Sequence, residues 1–299
     1  MESQNNFVAE LSGVTKRFKN VTALDGLDLQ VREGELFALL GPNGAGKTTA
    51  ISLLLGLQDP DSGSARLFGE SPHFTDTRRQ IGVMMQEVFL AAELRVREHI
   101  ELIASYYPSP LSSEDVMELT HTMPLANRPY GKLSGGQKRR AQFAMAICGR
   151  PRLLFLDEPA AGLDVEAREL MWITLRELVK QGCSIVLTTH YLEEAEALAD
   201  RVAVMKQGRV IASGTVNEMR SLVTRKKISC TTILTVEEIR AWPEVESVTR
   251  EREQLQIVTN NSETVVRQLL GSDIHLHELE VRRAGLAEAF AEITQEVSQ

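Results

Sequence analysis

The 299-residue sequence is short of several things, and each shortage removes a class of protein. It holds only three cysteines, Cys148, Cys183 and Cys230, with no C-x-x-C spacing among them. So sparse and odd a set excludes a disulfide framework and a cysteine zinc site, and fits a reducing compartment. No window approaches the roughly 18–20 apolar residues that a membrane-spanning helix requires. The opening MESQNNFVAEL lacks the basic-then-apolar build of a secretory leader. Positive charge is also short, with 33 Lys and Arg against 41 Asp and Glu and a net charge of -8. That balance counts against a nucleic-acid binder, which is usually basic on at least one face. Two short basic clusters, Lys138 to Arg140 and Arg225 to Lys227, read as solvated faces. There is no internal repeat and no low-complexity stretch.

What remains is ordinary globular material, 43% hydrophobic and 25% charged, enough for about two domains. Residues 7–12 and 24–31 have strand character, and Gly34-Glu-Leu-Phe-Ala-Leu-Leu40 is the apolar run of a buried parallel strand. Further strands are expected at 81–86, 153–156 and 184–189. Helices are expected at 49–57, 96–107, 134–149 and 165–180, the last stopped by Gly182. Strands alternating with helices predict an α/β fold with a mainly parallel sheet over residues 1–222. After Leu222 the order changes to strand 228–233, helix 236–242, strands 245–250 and 254–259, helix 263–269, strand 274–281 and helix 286–297. This second region, 223–299, is expected to be a small α+β domain whose order resembles a ferredoxin-like split βαβ.

The chemistry concentrates in the first region. Gly41-Pro42-Asn43-Gly44-Ala45-Gly46-Lys47-Thr48, followed by Thr49, matches G-x-x-x-x-G-K-[ST] between a strand and a helix. Its glycines let successive N–H groups converge on an anion, and the helix N-terminus adds its dipole. Lys47 is expected to reach the β- and γ-phosphates and the Thr48 hydroxyl to bind Mg²⁺. Leu153-Leu-Phe-Leu-Asp157 is a buried strand with Asp157 at its carboxyl end, a position from which it can hold Mg²⁺. Glu158 is the next residue and is free to take a proton from an attacking water. Gln86, at the end of its strand, can reach Mg²⁺ or that water, and His190 follows a strand expected beside that of Asp157.

A second anion cradle, Ser134-Gly135-Gly136-Gln137, opens the helix at 134 although the chain already has a phosphate loop. Taken with GPNGAGKT, Gln86, LLFLDEP, AGLD and His190, LSGGQ resembles the motif set of the ATP-binding cassette (ABC) ATPases across residues 7–220. The resemblance implies a cassette with a parallel sheet core, an antiparallel β subdomain and a helical subdomain at about 87–150. It implies that Ser134, Gly135, Gly136 and Gln137 cap the ATP of a second subunit, so that a homodimer encloses two MgATP. It also assigns Phe18 to adenine stacking (its alternative being a core residue), Asp164 to the loop between sites, Glu158 to the general base and His190 to the γ-phosphate. Ala160 and Ala161 stand where Thr and Ser are common, Met85 where proline is frequent, and Arg95 where threonine is. None removes a catalytic group.

The stretch Thr188 to Arg201, the stretch Gln207 to Thr215 and the terminal Gly285-Leu-Ala-Glu-Ala-Phe-Ala-Glu-Ile293 resemble the drug- and lipid-export branch. That branch implies a separately encoded permease docking between Gln86 and Tyr107, and peripheral attachment at the cytoplasmic face of the membrane. The alternative is a non-transport ABC ATPase acting on nucleic acid or ribosomes. Such proteins usually carry coiled-coil insertions, zinc modules or two cassettes, none of which is present here. The region 223–299 is open between binding a regulatory ligand and stabilising the dimer.

Overall fold

A computed structural model describes residues 7–86, 88–221, 226–252 and 254–283, together with Leu286 and Phe290. The helix expected at 286–297 otherwise lies outside the described residues, as do Arg225 and most of the terminal motif. The chain divides into two compact units, one ending at Thr215 and the other beginning at Val216.

In the first unit, β1 (Phe7–Phe18) pairs antiparallel with β2 (Val21–Arg32) and with β4 (Ser62–Leu67). The main sheet contains β3 (Leu36–Leu40), β5 (Ile81–Met84), β6 (Leu153–Asp157), β7 (Ser184–Thr189), β8 (Arg201–Lys206) and β9 (Arg209–Thr215). Its order is β5-β6-β7-β3-β8-β9, parallel as far as β8, with β9 antiparallel at the edge. The helices are α1 (Lys47–Leu54), the short α2 (Thr75–Arg78), α3 (Val96–Ala104), α4 (Ser113–Leu119), α5 (Gly135–Ile147), α6 (Val165–Lys180) and α7 (Leu192–Leu198).

The central strands β3, β6 and β7 are buried along their whole length and mostly apolar because both faces are covered. Successive side chains of a strand point to opposite faces. On β6, Leu153 and Phe155 enter a core shared with β1, β2 and α1, while Leu154 and Leu156 enter one shared with α3, α4 and α5. On β7, Val186 joins the first core and Ile185 and Leu187 the second. Each such buried side chain contributes roughly 1.5–3 kcal/mol by leaving water.

Strand order also sets where the chemistry falls. The loops after β5, β6, β7 and β3 leave the same, carboxyl, edge of four adjacent strands, where open α/β sheets gather ligand-binding groups.

Several elements differ from the sequence reading. α1 begins at Lys47 and α3 ends at Ala104, and β5 stops at Met84, leaving Gln86 on the following loop. β4, α2, α4, α7 and the β8–β9 hairpin were not expected. β4 reads SGSARL and is exposed along most of its length, so it carries no apolar alternation. The β8–β9 hairpin turns through Gln207 and Gly208, both at positive φ, as a tight two-residue turn requires.

In the second unit, α8 (Val216–Ser221) precedes β10 (Lys226–Thr231), α9 (Val236–Arg240), β11 (Val245–Glu251), β12 (Gln254–Thr259), α10 (Ser262–Ser272) and β13 (His277–Arg283). The sheet is fully antiparallel in the order β11-β12-β10-β13, which is the split βαβ arrangement. Ile228, Cys230, Leu255 and Ile257 from its two middle strands pack with Ile239 of α9 and Val265 and Leu269 of α10. No helix among the described residues is long and apolar enough to cross a membrane.

Candidate functional site

At the end of β3 the chain turns through the loop 41–46 into α1. Gly46, the N-cap of α1, has φ 104°, and a Cβ there would lie 2.6 Å from the Ala23 carbonyl oxygen. At Gly41 a Cβ would lie 2.5 Å from the Met205 carbonyl oxygen. The loop is therefore pressed between β2 and β8, where only glycine fits. Lys47 is buried, and its Nζ donates to the carbonyls of Gly41 at 2.8 Å and Pro42 at 3.2 Å. Burial pulls its pKa below the ordinary lysine value, while Glu158 and Asp157 oppose that pull.

Asp157 is 3% exposed. Its Oδ1 accepts from the Thr188 hydroxyl on the next strand, but Oδ2 has no hydrogen-bond partner. A buried carboxylate oxygen left unpaired is costly unless a cation or donor meets it. The Asp157 carboxylate, the Thr48 hydroxyl and the Gln86 side-chain carbonyl line the same cavity and offer oxygen donors, the type that suits Mg²⁺.

Glu158 adopts φ 50°, an uncommon conformation for a residue with a side chain, and its N–H donates to the Thr188 carbonyl at 3.0 Å. The turn swings Glu158 out of line with β6, where the imidazole Nδ1 of His190 lies 3.0 Å from Glu158 Oε1. His190 stacks on Tyr191, with ring centroids 4.1 Å apart.

These groups converge on one cavity of about 750 Å³, lined by the loop from Asn43 through Thr49 and by Gln86, Asp157, Glu158 and His190. Val21, Thr22 and Ala23 of β2 complete its wall. Phe18 does not line it. That side chain is 43% exposed, so it is not a core residue, and Lys16 Nζ sits 5.6 Å from its ring centroid. Ser134, Gly135, Gly136, Gln137 and Asp164 are also absent from the cavity. Ser134 caps α5, its hydroxyl accepting from Gln137 N–H and its own N–H donating to Gln137 Oε1. Asp164 caps α6, accepting from Ala167 N–H at 2.8 Å.

Three contributors escaped the sequence reading. Thr188 fixes both Asp157 and Glu158. Glu194 of α7 is 1% exposed, accepts from Trp172 Nε1, and is pushed to a higher pKa by burial. Arg139 is 8% exposed, which corrects the reading of its basic cluster as a solvated face. Its spacing to Phe143 and Ala146, on the buried side of α5, was the available signal.

A phosphate loop, a strand-end carboxylate and a neighbouring acid–histidine pair on adjacent strands define a P-loop nucleotide hydrolase. A family model described as ABC transporter matches residues 24–161. The "Nod factor export ATP-binding protein I" of Burkholderia thailandensis is 43% identical over 210 residues, covering 67% of this chain and 68% of the relative. Its namesake from Ralstonia nicotianae is 39% identical over 219 residues, covering 71% and 68%. Among solved structures, an ATP-binding subunit of an ABC transporter superposes with a TM-score of 0.66 at 28% identity, covering 72% of this chain and 92% of that one. A dimeric post-hydrolysis cassette bound to ADP and Pi gives 0.65 at 26% identity, covering 69% and 98%. The chain belongs to the ABC transporter family, as an ATP-binding subunit that hydrolyses ATP.

Proposed function

We propose that two copies of this chain close around two MgATP and drive export through a separately encoded membrane permease. The observation that carries the reading is the convergence of Lys47, Gln86, Asp157, Glu158 and His190 on one cavity while LSGGQ stands outside it. A Cβ at Gly135 would meet nothing within 4 Å, so no contact among the described residues requires a glycine there. The γ-phosphate of a second subunit's ATP supplies that requirement, with Ser134 and the backbone of Gly135 and Gly136 facing it. One such half-site per chain makes the complete unit a dimer.

In each site the loop from Gly41 to Thr49 cradles the phosphates, Lys47 adds charge at the β- and γ-positions, and Phe18 stacks on the adenine. Thr48, Asp157 and Gln86 would hold Mg²⁺, which supplies charge neutralisation between the phosphate oxygens. Glu158 takes the proton of the attacking water as its oxygen bonds to the γ-phosphorus and the bond to ADP breaks. His190 orients Glu158 and contacts the γ-phosphate. Asp164 lies in the loop linking the two sites.

The permease docks on the surface from Gln86 to Tyr107. There an apolar cleft of about 430 Å³ is lined by Leu57, Val83, Met85, Ile103 and Tyr107, and Phe89, in the same stretch of sequence, is 97% exposed. Exposed apolar groups gathered at one place mark an interaction site. Export follows from the names of the relatives, and the cargo is selected by the permease that touches it. Attachment through that permease sets the chain on the cytoplasmic face of the membrane.

The test is a pull-down from detergent-solubilised host membranes with tagged Glu158→Gln chain and MgATP. Recovery of a polytopic membrane protein is expected. Recovery of ribosomes, DNA or soluble proteins alone would overturn the transporter reading.

A further inference from the structure

Among the described residues Arg139 is the one buried arginine, and its side chain spans two loops of the hydrolytic site. Its Nη1 donates to the carbonyls of Met85 at 3.0 Å and Gln86 at 3.3 Å, and to Gln142 Oε1 at 3.2 Å. Its Nη2 donates to the carbonyls of Asp157 at 2.9 Å and of Glu158. A buried guanidinium is tolerated only when its donors are met, and here backbone carbonyls meet most of them. The fork ties the loop after β5 to the loop after β6. Gln86 and Glu158 therefore cannot shift independently while it is in place.

The same helix begins at the other half-site. Ser134 is the N-cap of α5 and Gly135 and Gly136 are its first residues, so Arg139 lies little more than one turn inside the helix, about 1.5 Å of rise per residue away. A Cβ at Gly136 would already lie 3.2 Å from the Gly162 carbonyl, so the helix start is also packed against the loop leading to Asp164.

We propose that Arg139 is a positioning residue that couples the partner's nucleotide to this chain's own hydrolytic site. A displacement of Ser134, Gly135 and Gly136 on meeting the partner's γ-phosphate moves α5. The guanidinium carries that movement to the backbones of Gln86 and Glu158 together. The inference rests on the two-chain reading above. Lysine cannot replace this arrangement, because an ammonium is a point charge without the planar fork that reaches four carbonyls.

The experiment compares the unaltered chain with Arg139→Lys and Arg139→Met. It measures ATP hydrolysis against ATP concentration, affinity for a fluorescent ATP analogue, and thermal unfolding. In the unaltered chain the rate is expected to rise sigmoidally with ATP, since each site is completed by the other. In both variants kcat is expected to fall about 100-fold, the effect of misplacing reacting groups by on the order of 1 Å. The sigmoid should become hyperbolic, while analogue affinity stays within about twofold and Arg139→Lys unfolds near the parent temperature. Parent-like kcat and sigmoid in Arg139→Lys would overturn the coupling role. So would losses of affinity and thermal stability in step with kcat, which mark a packing residue. A hyperbolic rate in the unaltered chain, independent of protein concentration, would instead overturn the two-chain reading and this inference with it.

Discussion

The Nδ1 of His190 lies 3.0 Å from Oε1 of Glu158, although the two residues come from loops after different strands. Glu158 is 13% exposed in its side chain and His190 45%. The contact therefore sits at the mouth of the cavity, with the acid inside and the imidazole at the rim. It acts beside the backbone link from the Glu158 N–H to the Thr188 carbonyl at 3.0 Å.

Glu158→Gln is expected to keep the fold and nucleotide binding, because the amide retains the shape and a hydrogen bond to His190. Loss of a general base lowers kcat by about 100-fold or more. Phosphate release at saturating ATP checks this, and turnover near the parent value would remove Glu158 from the base role.

Lys47→Ala should weaken nucleotide binding about 10- to 100-fold, the worth of one charge-assisted contact of roughly 1.5–3 kcal/mol. Its present partners are loop carbonyls of Gly41 and Pro42, so the fold should survive. Titration with a fluorescent ATP analogue, beside an unfolding curve, separates the two effects.

Gly46→Ala combines a strained φ of 104° with a Cβ 2.6 Å from the Ala23 carbonyl. A destabilisation of more than about 1 kcal/mol is expected in urea unfolding. An unfolding midpoint equal to the parent's would show that the loop is not gripped by β2.

Glu194 sets a pH dependence. Burial raises its pKa in the folded chain, so the folded state binds a proton that the unfolded state releases. Stability from this group is present below the ordinary carboxyl value and lost as pH rises through the higher folded value. Glu194→Gln keeps an acceptor for Trp172 and removes the charge. The variant's unfolding free energy, measured by urea at pH values from about 5 to about 8, should gain on the parent's as pH rises and then hold level. A difference constant across that range would show that Glu194 does not titrate on unfolding.

The phosphate loop, Asp157 and His190 were legible because each is a residue type at a fixed distance from a strand end, and strand ends show as the edge of an apolar run. Strands β6 and β7 and helix α6 were legible for the same reason, being long or built on an unbroken apolar run. β4 was not, because most of its side chains are exposed and only Leu67, at its end, is buried. Arg139 was hidden inside Lys-Arg-Arg, where a local reading sees only charge. Which of the two arginines turns inward depends on the phase of α5, which shows only when Arg139 is set against Phe143 and Ala146 further along the helix. Glu194 was hidden for a similar reason: its burial depends on Trp172, far away in the chain.

The alternation of β6 between two cores has a consequence for assembly of the chain. Leu153 and Phe155 fill one side, Leu154 and Leu156 the other, and Asp157 follows at the end in register with Thr188. Sliding this strand by one residue would exchange the two sets of side chains and carry Asp157 away from Thr188. The capacity to bind nucleotide thus reports on strand alignment buried several residues away. Since a ligand held only by the correctly aligned chain stabilises it in proportion to the logarithm of ligand concentration, ATP itself selects the proper alignment.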